Sequence, residues 1–85
     1  MKLLRKRIKT KDGFKYTDDY VDIDNAVCVI IETIKFVDGT KGHSRILVWY
    51  LGMSDPVVAF EGTLEECKQA LKQLGATIID KIKEE

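Results

Sequence analysis

The chain has 85 residues, 45% of them hydrophobic, and a single proline, which is the make-up of one compact α+β-sized domain over residues 1–85 and not of a disordered segment. Fourteen basic residues balance fourteen acidic ones, so no net field draws the chain toward nucleic acid or an anionic membrane, and electrostatic recognition has to be local. The longest apolar run, Ala26 to Ile31, falls far short of the roughly 20 residues that cross a bilayer, and the basic start lacks the apolar stretch of a signal peptide, so the expected compartment is the cytoplasm.

The first punctuation is Asp12-Gly13, between two β-rich segments. A two-residue type I′ turn needs positive φ at both central positions, which Asp-Gly supplies well, so a hairpin is expected here. Counting outward from the turn sets Arg5 opposite Tyr20, Lys6 opposite Asp19, Arg7 opposite Asp18 and Ile8 opposite Thr17. In that register the acidic "DDYVDID" answers the basic "MKLLRKRIKTK", and the basic segment is no longer a nucleic-acid arm. Asp24-Asn25 reads as a second tight turn that carries the chain on into a neighbouring strand.

Asp38-Gly39 predicts the third turn, with Glu32 opposite Arg45, Thr33 opposite Ser44, Ile31 opposite Ile46, Val29 opposite Val48 and Cys28 opposite Trp49. A longer loop through "DGTKGHS", pairing Val37 with Arg45, is the alternative, because Gly42 weakens the returning strand. After Pro56, "VVAFE" reads as a short strand. "GTLEECKQALKQLG" is a helix: Thr63 and Glu66 form a capping box, Leu64, Cys67, Leu71 and Leu74 make one apolar stripe, and Gly75 ends it. Ala76–Glu85 fits either a short strand or a last helical turn.

The expected fold is α+β: an antiparallel meander of about five strands followed by one helix packed on one sheet face, with a projecting hairpin over residues 32–47. A helix of about 12 residues is roughly 18 Å long and 10 Å wide, against about 19 Å across four strands, so it covers one face only. The face holding Leu4, Val21, Ile23, Ala26, Cys28, Ile30, Leu47, Trp49 and Leu51 is the expected helix side. The face of Tyr16, Tyr20, Val27, Val29, Ile31, Ile46, Val48 and Tyr50 is then left bare, unless the C-terminal segment folds over it. A bare apolar face of that size marks an interaction site.

The residues offer little for catalysis. His43 is the sole histidine, in a glycine-rich turn with no orienting partner in its neighbourhood, and Asp18, Asp19, Asp22 and Asp24 lack the glycine and terminal glutamate of a calcium loop. Cys28 and Cys67 are expected as reduced core thiols lying beside one another, and the glycines form no phosphate-cradling pattern. No metal, cofactor or small-molecule substrate is implied. The expected function is a non-catalytic interaction module that homodimerises or docks on a larger protein, using Tyr16, Tyr20, Val29, Ile31, Val48 and Tyr50 as the face and Ile34, Lys35, Phe36, Lys41 and His43 as the arm. The alternative is a nucleic-acid-binding accessory protein, with Tyr16 and Tyr20 stacking bases beside Arg5 and Arg7.

Overall fold

The computed structural model describes residues 2–75; Ala76–Glu85, with its two sequence readings, lies outside the described residues. Five strands, β1 (Leu3–Thr10), β2 (Gly13–Asp22), β3 (Cys28–Lys35), β4 (Lys41–Trp49) and β5 (Val57–Gly62), are followed by helix α1 (Leu64–Gln73). The class is α+β, with one helix against one five-stranded sheet, as the order of elements suggests. The sheet is not an antiparallel meander. Its order is β2-β1-β5-β4-β3, and β5 runs parallel to β1 with Arg7 beside Phe60.

The reason lies in β5. Its "VVAF" is apolar on both faces, the pattern of a strand buried on both sides, and in the sheet Ala59 and Phe60 are buried at 0% and 3% exposure. A meander would leave this strand at an edge. Polar β2, with Asp18, Asp19 and Lys15 exposed, takes an edge instead, and β3 takes the other. Asp24-Asn25 is therefore no hairpin turn. The chain crosses the end of the sheet there, held where the Ile23 N–H meets the Lys2 carbonyl and the Val27 N–H the Trp49 carbonyl, both at 2.9 Å.

Neither Asp-Gly hairpin turns as its sequence suggests. In the first, Thr10 pairs with Gly13 around Lys11-Asp12, which places Arg7 opposite Tyr16 and Ile8 opposite Lys15. Among the described residues none other than glycine has positive φ, so the Asp-Gly type I′ geometry does not form and Gly13 alone in this turn, at φ 120°, takes positive φ. A bulge through Thr17–Asp19 then restores Arg5 to its place opposite Tyr20. Arg7–Asp18 and Lys6–Asp19 are consequently not partners.

In the second hairpin, Phe36 and Thr40 flank a three-residue loop, Val37-Asp38-Gly39, closed by the Gly39 N–H on the Phe36 carbonyl at 2.9 Å, with Gly39 at φ 87°. Lys35 pairs with Lys41, and an extra residue of β4 at Gly42-His43 shifts the ladder so that Thr33 meets Ser44 and Glu32 meets Arg45. From there to Cys28–Trp49 the expected register holds.

Thr63 caps α1 as its spacing predicts: its hydroxyl accepts the Glu66 N–H at 3.1 Å, and the Glu66 carboxylate accepts the Thr63 N–H at 2.9 Å. Gly75 follows the helix at φ 71°. Cys67 and Leu71 pack onto Ile46, Val48, Ala59 and Phe60, with Val29, Ile31 and Tyr50 alongside. The helix thus covers the face expected to be bare. Cys28, Ile30, Leu47 and Trp49 share the opposite face with Glu32 and Arg45, and a helix laid there would strip water from that ion pair. Leu4, Val21 and Ile23 join the helix-side core because their hairpin enters the sheet through β1 and β5, not through a β2–β3 turn.

Candidate interaction edge along β3

The residues expected to form a bare face divide three ways. Val48 is fully buried and Val29 and Ile31 are half-buried beneath α1. Tyr50 is half-buried too, its hydroxyl donating to the Asp22 carbonyl at 2.5 Å. Burial, and then the charge of Asp22, push its phenol above the usual range. These four belong to the core. Tyr16 and Tyr20 remain exposed, on the far edge of the sheet.

The arm is shorter than expected. Beyond Ser44–Gly62, the last pair between β4 and β5, the hairpin continues alone, and Lys35–Lys41 are all exposed. Ile46 and Leu47, nearer its base, are buried in the sheet. The Phe36 ring folds over Gly42, where a Cβ would come within 3.1 Å of it; glycine is what lets the ring lie flat on the returning strand. Ile34 is half-buried beside it. His43 is not a free arm residue: its Nε2 meets Glu61 Oε1 at 2.9 Å and its ring packs edge-on against Phe14.

The outer edge of the sheet at β3 is open among the described residues. β3 pairs with β4 alone among the described strands. Large apolar side chains lie exposed along it and at both its ends: Val27, Ile30, Phe36 and Val37, with Leu51 and Met53 in the loop after β4. From Cys28 to Ile34 its one charged residue, Glu32, is held by Arg45 across the strand pair, and Lys35 follows at its end. Edge strands are ordinarily blunted by charge, proline or bulges. At the other edge β2 shows that protection, in the Thr17–Asp19 bulge with its exposed aspartates.

Sequence reasoning missed a second cluster, where β1, β2, β4, β5 and the start of α1 converge. Arg7 lies within 5.0 Å of the Phe14 and Phe60 ring centres and 5.5 Å of Tyr16, and pairs with Glu66 at 3.0 Å. Arg5 and Lys9 flank the same rings. Glu61 receives His43 on one oxygen and the Lys9 N–H on the other at 3.0 Å. The ring faces are taken by the chain's own cations, which favours a packing role over base stacking. The signal available in advance was the alternation of Arg5, Arg7 and Lys9 along one strand.

Among the described residues no group of three or more His, Cys, Asp or Glu is placed to hold a metal ion. No described helix is long and apolar enough to cross a membrane. Comparison with protein-family models, with curated proteins and with solved structures finds no match for this chain.

Proposed function

We propose that the chain is a small non-catalytic protein-interaction module that takes up an extended strand of a partner along β3. The exposed end of the β3–β4 hairpin closes over the partner. The observation that carries this reading is the β3 edge, which no other described strand covers, with Val27, Ile30, Phe36 and Val37 exposed along its line. An added strand pairs with the backbone groups of β3 that no described strand takes, and its side chains find apolar neighbours on both faces: Val29 and Ile31 on the helix side, Cys28 and Ile30 on the other. The nucleic-acid reading is weaker, because Tyr16 and Phe14 already face Arg5, Arg7 and Lys9.

The test is a photo-crosslinking amino acid placed at Ile30, at Phe36 and, as a control, at Lys15 on the opposite edge, in cells expressing the full chain. Protein adducts formed from Ile30 and Phe36 but not Lys15 are expected. Adducts from Lys15 alone, or none from Ile30, would contradict the reading.

A further inference from the structure

Resting on that reading, we infer that the strand taken up by β3 carries a carboxylate opposite Lys35, where the arm leaves β3, ahead of an apolar stretch opposite Val29–Ile31. Lys35 pairs directly with Lys41. Among the cross-strand pairs described it is the only one that sets like charges opposite, whereas Glu32–Arg45 and Arg45–Glu61 join unlike ones. Opposed lysines repel, and an anion within reach of both flexible stems relieves the repulsion. The described chain does not supply that anion. Both lysines are exposed, and neither has an acidic partner among the described residues. The neighbouring Asp38 carboxylate is taken by the Thr40 N–H at 2.9 Å and the Thr40 hydroxyl at 2.7 Å.

Alternation along β3 turns that charge into a register. Lys35 shares the helix side with Val29, Ile31 and Thr33, while Ile30, Glu32 and Ile34 take the other side. An added strand in the antiparallel sense, the more stable pairing, begins with its acidic residue opposite Lys35 and an apolar one opposite Ile34. Polar residues follow opposite Thr33 and Glu32, and apolar ones opposite Ile31, Ile30 and Val29. Glu32 calls for no cation from the partner because Arg45 holds it. Val29 to Lys35 spans about 23 Å at roughly 3.3 Å per residue, the length of one docked peptide and not of a large interface. An isolated peptide should therefore bind with a dissociation constant on the order of 100 μM.

The probe is a fluorescent peptide carrying Glu-Ile-Thr-Thr-Val-Ile-Val between Gly-Ser ends, titrated with the purified full chain up to about 1 mM and followed by anisotropy. Binding is expected, and it should weaken about threefold when glutamine replaces the peptide's glutamate. A chain carrying Lys35→Glu and Lys41→Glu should reverse the preference and favour the same peptide with lysine in that place, an exchange that misfolding cannot produce. Equal binding of the glutamate and glutamine peptides, or tighter binding of the peptide with its sequence reversed, overturns the inference. If no peptide binds while photo-adducts at Ile30 form in cells, the acidic strand is wrong and the β3 reading stands; loss of both defeats both.

Discussion

Arg7 and Glu66, 59 residues apart in the chain, meet at 3.0 Å. This contact ties the first strand to the first turn of the only described helix, and the same carboxylate oxygen caps the Thr63 N–H. The guanidinium side is held by the rings of Phe14, Tyr16 and Phe60. Its Nε is buried with no hydrogen-bond partner among the described residues. Arg7 therefore works more by packing its stem and planar head than by its charge alone.

Arg7→Ala should destabilise the protein by about 2–3 kcal/mol in urea unfolding, because it empties the space between three rings and frees Glu66. Arg7→Met, which keeps much of the volume, should cost less. Arg5→Ala should cost under about 0.5 kcal/mol, since its approach to Asp18 is 3.9 Å between exposed side chains. Equal losses at Arg5 and Arg7 would contradict this arrangement.

Stability should fall in acid through Glu61 and Glu66. Burial pushes the Glu61 carboxyl up, but the Lys9 N–H, His43 and Arg45 outweigh it and hold it below its ordinary 4.5. The Thr63 N–H, aided by Arg7 against a burial penalty, lowers Glu66 from the same value. A carboxyl depressed by folding stabilises the native state above its unfolded value and loses that contribution as pH falls through its folded one. Urea midpoints should thus decline below about pH 4.5, and less steeply in Glu61→Gln than in the parent.

The hairpin turn at Asp38-Gly39 can be told apart from the tight turn its sequence suggests. Asp38 Oδ1 accepts both the Thr40 N–H, at 2.9 Å, and the Thr40 hydroxyl, at 2.7 Å, while Gly39 alone has positive φ. Asp38→Gly, which suits a type I′ turn, should here cost about 1 kcal/mol in thermal unfolding. Gly39→Ala should cost a similar amount, about 1 kcal/mol, from the strained φ.

The two thiols should differ sharply toward a thiol reagent in native buffer. Cys28 is exposed, and Cys67 is fully buried beneath α1, where burial pushes its thiol up to about 11. One thiol should react at once and the second only on unfolding. Two fast thiols would mean that the helix does not lie where we describe it.

Short-range signals in the sequence carried the most. Thr63, Glu66 and Gly75 bound the helix because capping is decided within a few residues. The pairs from Glu32–Arg45 to Cys28–Trp49 were legible although the turn beside them was not: a loop one residue different from expectation is offset by the extra residue at Gly42-His43. The Thr17–Asp19 bulge does the same for Arg5–Tyr20. A correct register is therefore no proof of the turn that generated it. What stayed hidden was long-range: the placement of β5 between β1 and β4, and with it the face that α1 covers. The apolar character of "VVAF" on both faces was the available sign of a central strand. Misplacing it turned core residues such as Val48 into an expected surface.

The most direct measurement is amide hydrogen exchange on the purified chain, alone and with the partner captured by cross-linking at Ile30. Protection should rise on binding in Cys28–Ile34 and at Phe36, while β2 stays unchanged. Exchange in β3 that ignores the partner, or protection gained on β2 instead, would contradict the assignment of β3 as the surface where a partner strand docks.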